Sequence, residues 1–211
     1  MRSQNSPYSA SFTAASMMYN ETLVVVQMLL NDDLNEVKRK LKENAEYLKI
    51  QSVAARERVM AELSKRYKAM PTAFWVDFMS LPEEQQRLAL FFVLLKTYRL
   101  LFHFQVELAL PKYNSIDRTI SSNDVIMCLN EIASKDEFVN GWSELTRKKI
   151  SSTYITVLKQ AGLIDKTNGE LMPPALSDEE LARYAQSGDV WFLQACFLPQ
   201  YRIEQIKRIA I

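Results

Sequence analysis

The chain has 211 residues, enough for one large domain or two small ones. It is 48% hydrophobic and 24% charged, an ordinary globular mix, and only four glycines and seven prolines argue for long helices over a turn-rich β fold. A formal net charge of +1 gives no global sign of nucleic-acid binding, so any such surface must come from uneven placement of charge.

The start, Met1 to Pro7, is polar and is expected to be loose. No series of charged, hydrophobic and small residues opens the chain, so no signal peptide is expected. Thr13 to Leu30 reads as a helix, dense in apolar residues at Met17, Met18, Leu23, Val24, Val26 and Leu29. Asn31-Asp32-Asp33 breaks it, and Asp33 followed by Glu36 resembles a capping box. A helix is predicted from there to about Tyr47, and another from about Ser52 to Met70. From Leu34 to Lys68, ten cations against five acids leave +5. Lys38, Arg39, Lys42, Arg56, Lys65 and Arg66 are a candidate second basic surface, although solvated faces with intrahelical ion pairs would have the same composition.

Pro71 ends that helix, and a short one follows at Ala73 to Met79. Pro82-Glu83-Glu84 then opens a long central helix that Pro111 is expected to close. Its apolar run, Leu88 to Leu95, is far shorter than the roughly 20 residues a membrane span needs. Lys96, Arg99, His103 and Glu107 are spaced by three, four and four and share one stripe. A narrow polar stripe on an apolar helix describes the core of a soluble, cytoplasmic protein, with no membrane contact. The spacing also lets His103 meet Glu107.

Ser122 can cap a helix to about Ser134, and Ser143 can cap the next. On a helix from Ser143 to Ala161, the spacing puts Ile150, Tyr154, Val157, Leu158 and Ala161 on a packing arc. Lys148, Ser151, Ser152, Ile155 and Lys159 are assigned to the opposite arc, with Lys149 and Thr156 at its margin and Arg147 to the side. Cations that neutralise phosphates, beside small hydroxyls that allow close approach, suit a recognition helix. Gly162 permits the left-handed turn that ends a helix. Leu163-Ile164 and Leu171-Met172 can pair as a small hairpin around Thr167-Asn168-Gly169, with Lys166 and Asn168 at its tip. From Thr146 to Asn168 five cations face one acid, a local +4. Helix, short strand, turn and short strand is the order of a winged helix-turn-helix, a module that also serves as a pure protein-binding surface. Trp142, in the loop before the helix, reads as a packing anchor.

Ser177-Asp178-Glu179-Glu180 is a capping box for a helix to about Gln186, and two short helical pieces, Val190 to Phe197 and Pro199 to Ala210, follow. Cys128 and Cys196 are far apart on apolar stretches and read as buried thiols in a reducing compartment. Catalysis finds little support. His103 is the single histidine and there is no Cys-x-x-Cys, so no metal site is expected. Neither a phosphate-binding glycine loop nor a nucleophile elbow is present, so neither a catalytic site nor a cofactor is expected.

Near the start, Tyr8-Ser9-Ala10-Ser11-Phe12-Thr13 alternates hydroxyl residues with Ala and aromatics, and Tyr19-Asn20-Glu21 follows. Ser11 or Thr13 could cap the first helix, while Tyr8 and Phe12 could anchor the lead to the core; contact with a partner is the other reading. The stretch YSASFTAASMMYNE resembles the opening motif of the BrxA family of bacteriophage exclusion (BREX) defence systems. The resemblance covers the whole chain in size and helical pattern, but its specific part is short. A small or Gly-rich pair follows Ser-Phe-Thr in the family, whereas Ala14-Ala15-Ser16 stands here, so a glycine-dependent role at this point is not carried over. The resemblance implies a non-catalytic component of a phage-defence complex that includes a DNA methyltransferase, with DNA binding as the activity. An inner-membrane assignment given to family members is at odds with the polar stripe.

The sequence therefore predicts a mainly α protein: an N-terminal helical region at 1–80, a winged helix-turn-helix-like module with a small β-hairpin at 81–175, and a C-terminal helical tail at 176–211. The favoured function is a DNA-binding accessory factor, with Arg147, Lys148, Lys149 and Lys159 on phosphates, Ser151 and Ser152 in the groove, and Lys166 and Asn168 at the wing tip for a phosphate or minor-groove contact. The alternative is an adaptor that binds other defence proteins, the methyltransferase among them, and touches no nucleic acid.

Overall fold

The computed structural model describes residues 6–14 and 16–210. Most of the polar start expected to be loose, and Ala15 of the Ala14-Ala15-Ser16 departure, lie outside the described residues. The described residues fold into two compact units, one within 14–97 and the other made of 6–13 with 98–210.

The 14–97 unit holds α1 (Tyr19–Leu29), α2 (Leu34–Glu43), α3 (Val53–Lys68), α4 (Thr72–Ser80) and α5 (Glu83–Thr97). Asp33 caps α2 by accepting from the amides of Asn35 and Glu36, and Ser52 caps α3 through the amide of Ala55. Neither Ser11 nor Thr13 caps α1; Met18 precedes it in a left-handed conformation with no side-chain cap. Val25, Val37, Leu41, Leu48, Met60 and Leu63 build one core cluster. Trp75 anchors α4: it is fully buried, stacks on Tyr67 at 5.4 Å and donates its indole N–H to the carbonyl of Tyr67.

The other unit begins with the lead segment, whose Ser11–Ala14 forms a 3₁₀ turn. Phe12 is fully buried against Tyr98, with ring centroids 5.5 Å apart, and Tyr8 approaches His103. The anchoring expected of these two aromatics is therefore what the structure shows. The unit continues with α6 (Arg99–Phe104), a π-helical turn at Gln105–Ala109, α7 (Leu110–Tyr113), α8 (Ser122–Ala133), α9 (Glu137–Asn140), α10 (Glu144–Gln160), α11 (Asp178–Gln186), α12 (Val190–Ala195) and α13 (Gln200–Ile209). At its centre, Tyr154 donates to Oε1 of the buried Gln105 at 2.8 Å, and Gln105 donates in turn to the carbonyl of Ala195. Each polar atom of this pair thus has a partner, as burial requires.

The long central helix expected between Pro82 and Pro111 is two helices. The chain leaves helical geometry at Tyr98, whose φ of −122° and ψ of 105° are extended. Pro111 does not close the second part either, since α7 runs on to Tyr113. The wide π turn lies just before Pro111, whose ring would crowd the carbonyl of Glu107 in a regular helix. The stripe is cut as well: Lys96 stays on α5 while Arg99 and His103 lie on α6. Among the described residues, no single helix is long and apolar enough to cross a membrane.

The largest correction concerns the hairpin. Among the described residues no strand is formed. Leu163-Ile164 and Leu171-Met172 meet in one isolated antiparallel bridge, Ile164 with Leu171, and a second isolated bridge joins Thr119 to Glu170. A two-residue Asn-Gly turn of the hairpin type needs positive φ at both residues. Only Gly169 has it, at 78°. Instead the Asp165 carboxylate accepts the amides of Thr167 and Asn168, and Gly169 donates to the Asp165 carbonyl at 3.0 Å, a wider, helix-like turn. Pro173 and Pro174 then follow directly with no N–H to extend a ladder. The mainly α character stands; the β-hairpin wing does not.

Candidate nucleic-acid interface

Helix α10 is positioned by its own sequence. Ser143 accepts the amide of Thr146 at its N-terminus. At its C-terminus Gly162 adopts φ 74°, its N–H reaches the Lys159 carbonyl at 3.2 Å, and that of Leu163 reaches the Leu158 carbonyl at 3.0 Å. This is the paired-bond stop that a glycine in left-handed geometry allows. Ile150, Tyr154, Val157, Leu158 and Ala161, the predicted packing arc, are all buried.

The basic residues divide into two kinds. Arg147 is half-buried and its guanidinium is taken up by the protein's own acceptors. Its guanidinium donates to the carbonyls of Trp142, Val139 and Asn140 and to Oδ1 of Asn130, so it ties the start of α10 to α8, α9 and the loop between. Trp142 in that loop meets Phe138 edge-on at 5.7 Å, a packing contact. Ser151 is fully buried and donates to the Ser122 carbonyl at the start of α8. It lies two turns before Leu158 and so shares the buried side, not the opposite arc to which it was assigned.

What remains exposed on the helix is Glu144, Leu145, Lys148, Lys149, Ser152, Thr156 and Lys159. Lys148 is paired with Glu144 at 2.7 Å, one turn away, and this holds the Glu144 carboxyl below its usual range. Lys149 and Lys159 have no ion pair among the described residues. Between them Ser152 donates to the Lys149 carbonyl and Thr156 to the Ser152 carbonyl, so each hydroxyl turns back on its own helix and presents an acceptor oxygen outward. Lys149 and Lys159 are ten residues apart, about 15 Å along the axis, comparable to the ~12 Å width of a DNA major groove. Lys166 and Asn168 are exposed in the turn after the helix, where Asn168 accepts the amide of Glu170 and keeps its side-chain N–H groups outward.

The candidate second basic surface divides similarly. Arg56 is only 4% exposed and donates to the carbonyls of Leu41, Lys42, Ile50 and Gln51, closing the C-terminal end of α2. Arg66 is buried as well, bonded to Glu62 and to the carbonyls of Ser16 and Met17. Arg39 pairs with Glu36 and Glu43, and Lys42 with Glu57. Lys38 and Lys65 are exposed on α2 and α3. Two of the six residues are therefore interior props, a role that charge counting alone could not distinguish from a surface one.

His103 meets Tyr8, not Glu107: the Tyr8 hydroxyl lies 3.2 Å from its Nδ1. Burial lowers the His103 pKa, while Glu107 works in the opposite direction. Burial also pushes the thiol of Cys128 up to about 11 and that of Cys196 well above its ordinary value. Among the described residues, no three His, Cys, Asp or Glu side chains are grouped to hold a metal ion.

A crystal structure of an uncharacterized protein from Magnetospirillum magneticum is similar over 90% of this chain and 98% of its own, with a TM-score of 0.75 at 17% identity; at that identity it speaks for the fold alone. No curated protein matches. The BrxA profile matches residues 6–188, which includes the YSASFT lead and all of α10. The chain belongs to the BrxA family, and the phage-defence setting inferred from its opening motif is the setting of that family.

Proposed function

We propose that this BrxA-family chain is a non-catalytic, cytoplasmic accessory component of a BREX defence system that contacts duplex DNA through the exposed face of α10 and the turn after it. The observation that carries the reading is the pair Lys149 and Lys159, exposed and without ion pairs among the described residues, flanking the outward Ser152 and Thr156. Lysines so placed neutralise phosphates, and the small hydroxyl residues let the helix approach the groove. Lys148, shared with Glu144, contributes less, and Lys166 and Asn168 extend the contact from the turn. Arg147 and Ser151 position the helix.

The experiment is a mobility-shift titration with duplex DNA at low salt, comparing the unaltered chain with Lys149→Glu/Lys159→Glu. The double variant is expected to lose the shift while keeping its helical circular dichroism. An adaptor without nucleic-acid contact has one observation in its favour: Leu145, 77% exposed, sits at the N-terminal end of the same face. That reading predicts no shift with either chain and co-purification of another defence protein that Leu145→Asp abolishes.

A further inference from the structure

The exposed face of α10 has a defined order. At about 3.6 residues per turn, Leu145, Lys149, Ser152, Thr156 and Lys159 are spaced by four, three, four and three and form one stripe along the helix. Leu145 leads the stripe, 77% exposed and one turn ahead of Lys149. Glu144, the adjacent acid, lies about 100° round the helix from Leu145 and is paired with Lys148 at 2.7 Å. Ser152 and Thr156 spend their O–H donors on the carbonyls of Lys149 and Ser152, so outward they offer acceptors only. The lysines of the stripe supply charge. Leu145, with no charge and no hydrogen-bonding atom in its side chain, is the feature that phosphate contact does not explain.

We infer that Leu145 is a specificity-determining residue that reads the 5-methyl group of thymine in A·T pairs. The inference rests on the DNA-contact reading of α10 and narrows it from duplex DNA to duplexes that present thymine methyls. A recognition helix turns its N-terminal residues toward base edges, and Leu145 is in the first turn of α10. The base edges of the major groove are polar except for the thymine methyl, so that methyl is the surface an aliphatic side chain gains by covering. The hydroxyls agree. An acceptor oxygen takes a hydrogen bond from the amine of adenine or cytosine and has nothing to give the O6 and N7 acceptors of guanine. Of the two standard base pairs, A·T is the one that shows both an amine and a methyl in this groove. The exposed leucine that favours an adaptor is thereby accounted for within the DNA contact.

The test measures the affinity of the full chain at low salt for labelled duplexes of equal length and charge, so that the phosphate contribution cancels within each pair of duplexes. One pair has alternating A·T steps carrying thymine or uracil, which lacks only the methyl. The other has alternating G·C steps carrying cytosine or 5-methylcytosine, which adds it. The unaltered chain should bind the methyl-bearing duplex about four-fold tighter in both pairs, the worth of one buried methyl-sized group. Leu145→Ala should bind the two members of each pair equally. The position is exposed, so the variant should keep its fold, which circular dichroism checks. Equal affinity of the unaltered chain within either pair, or a methyl preference that survives in Leu145→Ala, would overturn the inference and leave duplex binding through Lys149 and Lys159 standing. Absence of binding to all four duplexes would overturn the reading beneath it as well.

Discussion

Arg147 and Lys149 stand two residues apart, and their neighbours set them to different tasks. Arg147 holds three carbonyls and an amide oxygen; Lys149 holds none of the described side chains. Arg147→Ala should therefore destabilise the chain by about 1–3 kcal/mol, the cost of leaving part-buried acceptors unpaired, and Lys149→Ala by less than about 0.5 kcal/mol. Urea unfolding followed by circular dichroism reads both. His103 gives a second residue-scale prediction. Its pKa is lowered in the folded chain, chiefly by burial; Glu107 and Glu131 oppose the shift and Arg99 and Lys135 add to it. The unfolded chain then binds more protons as pH falls below the ordinary value of 6.5, so this contribution to stability is complete above that value and is lost as pH drops toward the folded pKa. Melting temperatures between about pH 7.5 and 5.5 should fall more steeply in the unaltered chain than in His103→Gln. Parallel slopes would remove His103 from the account.

At the scale of elements, helix boundaries set by local chemistry are legible: Asp33, Ser52, Ser143, Ser177 and Gly162 all terminate helices where the residue type says they should, while α8 is capped by Ser121 in a box with Asp124 and not by the expected Ser122. Gly162 has open space around it, so Gly162→Ala meets no clash and should cost only the left-handed backbone penalty, about 1–2 kcal/mol, measured by thermal unfolding. The misread elements are those decided by tertiary surroundings. Tyr98 carries no helix-breaking signal in its side chain, yet the chain is extended there and the ring is buried against Phe12, 86 positions earlier. Asn168-Gly169 carries a strong hairpin signal, yet the Asp165 carboxylate gathers the turn amides and the pairing stops at one bridge. The seven-residue spacing of Ser151 from the buried Leu158 places it on the packing side; the buried Arg56 and Arg66 and the half-buried Arg147 are hidden because a carbonyl-bound arginine looks like any other cation in a charge count.

At the scale of the whole molecule, the family was readable from the short YSASFT lead, and the structure gives that lead a physical role: its aromatics tie the first residues to the unit that resumes at Tyr98. The candidate interface was readable in part. Of the eight residues expected there, Lys148, Lys149, Ser152, Lys159, Lys166 and Asn168 are exposed, Arg147 is half-buried and bound to carbonyls, and Ser151 is buried. A net charge of +1 hides this because the positive face of α10 is balanced by acids elsewhere on the chain. The measurement that tests the account most directly is duplex affinity as a function of salt for the full chain and for Lys149→Glu/Lys159→Glu, with single-stranded DNA and RNA run alongside. The account predicts tightest binding to duplex, a steep linear fall of log affinity with log salt, and a double variant that loses binding at low salt, as removal of two phosphate contacts requires. Equal affinity and equal salt slope for the two chains would contradict it.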